Sequence, residues 1–199
     1  MKNRPKAILF DMDGVLIESL DSWWLSFNDA LKEFNQKEIS RDEFIEKYWG
    51  HDLQYNLEKM GIDYKILKFC NMAYKNHTDN INIFPDTKST LEYLSAYKKG
   101  IITNTPADCA KQVIDKHNLE RYFDVIVTVD EVKRGKPSPE LIYRACKYLN
   151  VEPRDVFLVG DTESDVLAGK AAGCIVIGKN IKADHTINKL FDLTKLVET

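Results

Sequence analysis

The stretch Ala7-Ile8-Leu9-Phe10-Asp11-Met12-Asp13-Gly14-Val15-Leu16 constrains this chain more than any other. Its first four residues are apolar and read as a buried strand, which stops abruptly at two carboxylates and a glycine. A buried strand that ends in acids sets them at the carboxyl edge of a sheet, where open α/β sheets bind their ligands. Asp11 and Asp13 stand two apart, so an extended backbone past Phe10 turns both toward one pocket. Two carboxylates that close repel one another and invite a divalent cation. Taken alone, the same residues also suit a strand end with solvated acids.

Beyond Leu16 the period changes. Leu20, Trp23, Trp24, Phe27, Leu31 and Phe34 recur at three- and four-residue steps and form one face of an amphipathic helix. Ser40 opens a second helix, with Glu43 placed to complete a capping box and Phe44, Ile45 and Tyr48 on its apolar side. Trp49-Gly50-His51-Asp52 breaks it; helical spacing resumes through Leu53, Leu57 and Met60, and a last helix covers roughly Tyr64 to Tyr74 with Leu67 and Cys70 inward. No convincing strand falls between 18 and about 82. One βα unit needs a single crossover helix, so this run predicts an inserted all-helical domain, with a helical cover over one sheet face as the alternative. The expected division is an α/β core of residues 1–17 and 83–199 and a helical unit of 18–82, with Pro85 stiffening the return.

The core then repeats one device, a β-branched strand delivering polar residues at its end. A helix near Lys88–Lys98 ends at Gly100, and Ile101-Ile102 begins a short strand closing in Thr103-Asn104-Thr105-Pro106. Thr105 as N-cap and Pro106 as first helical residue would aim free N–H groups at the sheet edge, with the Thr103 hydroxyl beside them; the same residues also suit a plain strand-to-helix turn. Strand Phe123–Val129 leads to Lys136, held between Gly135 and Pro137, and to a helix with Ser138 as N-cap and Leu141, Ala145, Tyr148 and Leu149 inward. Val156–Val159 ends in Gly160-Asp161-Thr162-Glu163-Ser164-Asp165, with Glu163 turned away on a helical count. Cys174–Ile177 is the last strand, and Asp184–Leu196 reads as a surface segment.

Asp11-Met12-Asp13-Gly14-Val15-Leu16 resembles the first motif of the haloacid dehalogenase superfamily, in its phosphatase branch. Thr103 fits the second motif, Gly135-Lys136-Pro137-Ser138-Pro139 the third as it stands in phosphoglycolate-phosphatase-like members, and Gly160-Asp161 with Asp165 the fourth. The resemblance covers residues 6 to about 192 and is weaker over the helical insertion, which matches the family's cap. It implies a Rossmann-like parallel sheet with a small helical cap and a Mg²⁺-dependent hydrolysis of a small phosphomonoester through an aspartyl-phosphate. It further implies Asp11 as nucleophile and Asp13 as general acid/base. Thr103, Asn104 and Lys136 would hold the phosphate, and His51 stands where a cap loop faces substrate. Mg²⁺ would be bound by Asp11, by Asp13 through its backbone carbonyl, and by Asp161, with Asp165 either on a metal-bound water or orienting Lys136. Dehalogenase members lack the second acid, so Asp13 and the acidic fourth motif favour phosphate over a haloacid. Glu18 and Asp86 depart from the family's common Asp and Gly.

The residues leave three alternatives. A β-phosphoglucomutase-type mutase would want cations on the cap loop, where only His51 and nearby Lys47 stand; a phosphonoacetaldehyde hydrolase would want a Schiff-base lysine from the cap; a non-catalytic phosphate-binding module would have lost the nucleophile or a metal ligand. Composition bounds the rest. With 44% hydrophobic and 30% charged residues, the 199-residue chain has an ordinary globular make-up. A net charge of −3 with scattered Lys and Arg gives no reason to expect nucleic acid. Cys70, Cys109, Cys146 and Cys174 stand far apart, which predicts free thiols rather than a zinc site. With no run near the ~18 apolar residues of a membrane span, the sequence predicts a soluble cytoplasmic enzyme, monomer or homodimer, acting on a small phosphorylated metabolite.

Overall fold

The computed structural model describes residues 4–50, 54, 57 and 62–198. Strand β1 (Ala7–Phe10) runs into a tight turn and a short strand β2 (Ile17–Glu18), then into α1 (Leu20–Glu33), α2 (Arg41–Lys47) and α3 (Lys65–His77). Strand β3 (Asn82–Ile83) brings the chain back, followed by α4 (Thr87–Tyr93), β4 (Lys98–Thr103), α5 (Ala107–His117), β5 (Val125–Thr128) and α6 (Glu140–Leu149). The remainder alternates β6 (Val156–Gly160), α7 (Glu163–Ala172), β7 (Ile175–Lys179), β8 (His185–Ile187) and α8 (Leu193–Val197).

Among the described residues, six strands form one all-parallel sheet in the order β5-β4-β1-β6-β7-β8. β1 lies between β4 and β6, with Phe10 opposite both Ile101 and Val159, so its end is flanked by the ends of two neighbours. Alternation along β1 separates two apolar clusters. Ala7 and Leu9 pack with Ile102, Leu158 and the α6 residues Leu141 and Ala145, whereas Ile8 and Phe10 face Leu91, Val113 and Ile177. The second cluster does not stop at the sheet. It continues through Met12, Val15 and Ile17 into Trp23, Phe27, Phe44 and Tyr74 of the helical layer.

Several elements differ from the sequence reading. Gly100 lies inside β4 rather than before it: a Cβ there would stand 2.7 Å from Val125 Cγ2 and 2.8 Å from Leu9 Cδ2, so the strand needs glycine to admit its neighbours. The segment from Asp184 includes a strand, β8, and buries Ile187, Leu190, Leu193 and Val197. A two-stranded antiparallel ribbon, Ile17 against Ile83 and Glu18 against Asn82, ties together the points where the chain enters and leaves the helical layer. Ser40 caps α2 by accepting from the Glu43 N–H at 3.2 Å, but Glu43 spends its carboxylate on Lys47 at 2.8 Å, and no capping box is closed. The inward stripe of α3 is Ile66, Cys70 and Tyr74, and Tyr148 is half exposed, bonded through its hydroxyl to Glu131. All four cysteines are free and buried.

Candidate active site

The end of β1 makes the site. The Asp11 N–H donates to Val159 O at 2.9 Å, and the chain then leaves the sheet in a turn closed by Gly14 N to Ile17 O at 2.8 Å. Gly14 has φ +80°, and a Cβ there would fall 2.0 Å from Asp161 Oδ2. The turn therefore requires glycine twice over, for its left-handed backbone and for the approach of a carboxylate. Asp86, where the resemblance leads one to expect glycine, accepts from the Phe191 N–H at 2.9 Å and so anchors the C-terminal segment.

Asp11 is 6% exposed, and its Oδ1 accepts from the Met12 N–H at 2.7 Å and from Lys136 Nζ at 2.7 Å. Lys136 Nζ also donates to Asp165 Oδ1 at 2.6 Å. Burial works against the lysine's charge, but the carboxylates of Asp11 and Asp165 outweigh it and hold its pKa above the ordinary value. Burial pushes the Asp11 carboxyl well up; Lys136 pulls against that, and Asp165, Asp161 and Asp13 add to it. Asp161 is pushed up to about 7 by burial first and by Asp165 next. Ligand atoms of Asp11, Asp161 and Asp165 lie within 4.8 Å of one another, and Asp161 Oδ1 is buried with no hydrogen-bond partner. The Lys136 ammonium contacts two of these three carboxylates, Asp11 and Asp165. The residual negative charge and an orphaned oxygen are what a hard divalent cation relieves.

The expected residues divide into groups. Asp11, Asp13, Thr103, Asn104 and Lys136 line one cavity of about 860 Å³ together with Trp23, Tyr48 and Trp49. Asp165 is fully buried, and its other oxygen, Oδ2, accepts from the Thr162 N–H at 3.1 Å and from Thr162 Oγ1 at 2.7 Å. With both oxygens engaged, its geometry suits orienting Lys136. The Asn104 side chain is occupied in the same way: Nδ2 donates to Lys136 O at 2.9 Å and Oδ1 accepts from the Lys136 N–H at 2.7 Å, so it fixes the lysine's loop. His51 lies outside the described residues. Next to it, Gly50 packs on Thr162, where a Cβ would stand 2.3 Å from Thr162 Cγ2.

The strand-end helix differs in one detail. Helix α5 starts at Ala107 with Pro106 as its cap residue, and the Ala107 N–H donates to Asp130 Oδ2 at 2.6 Å. Its first amide is satisfied by the protein itself. Thr105, expected as the cap, instead donates through Oγ1 to Asp13 Oδ2 at 2.7 Å, and Thr103 Oγ1 reaches the same oxygen at 3.3 Å. Likewise α6 begins after Pro139, and Ser138 Oγ accepts from the Glu140 N–H at 3.4 Å.

Sequence reasoning passed over Lys179. It is 5% exposed, donates to Gly14 O at 2.7 Å, and stands 3.2 Å from the Phe84 ring centroid. Burial lowers its pKa, while Asp161, Asp86 and Glu18 raise it. The signal was present: Lys179 follows Ile-Val-Ile-Gly at a strand's carboxyl end, the position that singled out Asp11 and Thr103. Ser19 and Trp23, which also reach Asp13, gave no such signal.

A family model described as haloacid dehalogenase-like hydrolase matches residues 8–179. The chain is 31% identical over 207 residues to a phosphoglycolate phosphatase of Aquifex aeolicus, covering 97% of both. It is 24% identical to the pyrophosphatase PpaX of Bacillus mycoides, over 96% of each. Among solved structures it superposes on CbbY from Rhodobacter sphaeroides, crystallised with phosphate, at a TM-score of 0.85 and 19% identity, over 98% of this chain and 100% of that one. The strand order, the paired acids at the end of β1 and the lysine–carboxylate contact behind them thus agree with the family match, and this chain belongs to the haloacid dehalogenase-like hydrolases.

Proposed function

We propose that the chain hydrolyses a small phosphomonoester in two steps, through an aspartyl-phosphate on Asp11. The observation that carries this reading is the buried Asp11 carboxylate, held by Lys136 at 2.7 Å on the same cavity as Asp13. A carboxylate fixed in this way is an oriented nucleophile, and phosphoryl transfer asks chiefly for orientation and charge neutralisation. Asp13 donates a proton to the departing oxygen and then takes one from the water that hydrolyses the intermediate. Thr103 is the hydroxyl for a phosphate oxygen, once it gives up its bond to Asp13. Lys136 offsets the charge that gathers on the phosphoryl group, and Asp165 and the Asn104 side chain keep it in place. The backbone N–H of Asn104 and His51 are the remaining candidates for substrate contact.

The buried carboxylates and the unpartnered Asp161 oxygen fit Mg²⁺, which Asp11, the Asp13 carbonyl and Asp161 would hold. Bound there, it would supply positive charge that offsets the negative charge of the phosphoryl group. Residues 18–82 serve as a cap, attached through the β2–β3 ribbon, that screens the reacting groups from bulk water. Four free buried thiols suit the reducing cytoplasm. The names of the relatives make phosphoglycolate and pyrophosphate the first substrates to try.

The test is phosphate release from a panel containing phosphoglycolate, pyrophosphate, sugar phosphates and nucleoside monophosphates, each with Mg²⁺ and with chelator. Release that requires Mg²⁺ is the expected result. Transfer between sugar phosphates primed by a bisphosphate, without net release, would replace hydrolysis by a mutase. Binding without either would leave only a phosphate-binding module.

A further inference from the structure

We propose that Trp23 is a positioning residue that decides which oxygen of Asp13 carries the proton to the leaving group; this rests on the phosphatase reading above. Trp23 belongs to α1, in the helical layer, yet its indole Nε1 donates to Asp13 Oδ1 at 3.1 Å. The ring is 6% exposed and lies stacked on Tyr74 of α3, with centroids 4.0 Å apart and planes 25° from parallel. Two helices therefore set the direction of this N–H.

Among the described residues, four donors reach the Asp13 carboxylate. Ser19 Oγ, at 2.5 Å, shares Oδ1 with the indole, while Thr105 Oγ1 and Thr103 Oγ1 reach Oδ2 at 2.7 and 3.3 Å. They differ in one chemical respect. A hydroxyl can rotate and accept, whereas an indole N–H only donates. A proton on Oδ1 would confront a buried N–H that has no way to turn aside, and a buried donor left unpaired is costly. A proton on Oδ2 meets threonine hydroxyls that reorient to accept it. The indole thus reserves Oδ1 as an acceptor and leaves Oδ2, on the side of the β4 tip, to carry the proton.

The steps balance with this assignment. An Asp11 oxygen forms a bond to phosphorus as the bond from phosphorus to the leaving oxygen breaks. Its electron pair stays on that oxygen, which takes the proton from Asp13 Oδ2. The products are the alcohol, the aspartyl-phosphate and an ionised Asp13. Water then attacks phosphorus, its proton returns to Asp13 Oδ2, and the pair of the cleaved bond goes back to the Asp11 carboxylate with release of hydrogen phosphate.

Trp23→Phe keeps an aromatic face on Tyr74 and removes the N–H. The test compares kcat/KM, which ends at departure of the leaving group, for phosphoglycolate and for p-nitrophenyl phosphate. The alkoxide needs a proton to leave; the nitrophenolate does not. The expected result is a fall of roughly tenfold in the alkyl-to-aryl ratio of kcat/KM, part of what a general acid contributes. Loss of packing alone would lower both substrates together and leave the ratio unmoved, which would overturn the proposal. Asp13→Asn, measured alongside, separates the two readings. If it leaves the ratio unmoved, Asp13 is not the acid and the reading beneath fails; if it lowers the ratio and Trp23→Phe does not, only the role of Trp23 falls. Should Trp23→Phe lose its circular dichroism, the wild-type indole carries the test: the Trp23 N–H resonance must shift on Asp13→Asn, and an unmoved resonance overturns the proposal.

Discussion

Asp161 shows how much of the site's chemistry is decided at a single side chain. Its carboxyl is raised from 3.8 to about 7, mainly by burial, and one of its oxygens has no partner. A group raised on folding binds its proton more tightly in the native state. In chelator, the stability it contributes is therefore fully present below about pH 4 and is lost as pH rises through about 7. Thermal unfolding of the chelated protein should show a Tm that falls across this window, and Asp161→Asn should flatten the fall. The same variant should lose most of the stabilisation that added Mg²⁺ gives the wild type. A Tm that rises with pH in chelator, or unchanged Mg²⁺ stabilisation in the variant, would contradict the reading of this residue. At this scale the sequence was most legible where a polar residue ends an apolar run: Asp11, Asp13, Thr103 and Asp161 all stand there. Trp23 and Ser19 were illegible for the converse reason, since their role comes from a helix packing back over the strand end rather than from their neighbours in the chain.

Elements were legible in proportion to their length. The fourteen-residue α1 follows its apolar period, and the inward residues Trp23, Phe27 and Leu31 are buried as that period requires. Strands of two and three residues, β2, β3 and β8, carry too few alternations to register. They exist because partners supply their hydrogen bonds: Ile17 with Ile83, and His185 to Ile187 along β7. Helix starts slipped by one residue at Pro106 and Pro139, where proline became the cap residue instead of the first helical one. The helical layer rests on α1 against its neighbours, with the Phe27 ring 5.7 Å from Phe44 and 4.6 Å from Tyr48. Phe27 is fully buried, so Phe27→Ala should cost about 3–5 kcal/mol in denaturant unfolding. A cost below about 1 kcal/mol would mean that this layer contributes little to the folded state.

For the whole molecule, the parallel sheet was legible because each core strand is a short β-branched run followed by a helix, and such a chain places its strand ends on one edge. What periodicity does not carry is the relation between the helical layer and the sheet. One apolar cluster spans both, from Ile177 through Met12 to Phe44, and a single cavity lies between the strand tips and Tyr48 and Trp49. No helix among the described residues is long and apolar enough to cross a membrane. If phosphate passes through Asp11, trapping the intermediate will show it there. The enzyme would be mixed with its best substrate and quenched in acid, the acyl-phosphate reduced with borohydride, and the peptide around residue 11 read by mass spectrometry. Homoserine is expected at position 11 in the wild type and none, with no turnover, in a folded Asp11→Asn variant. Phosphate release with residue 11 unmodified, or turnover retained by that variant, would contradict it.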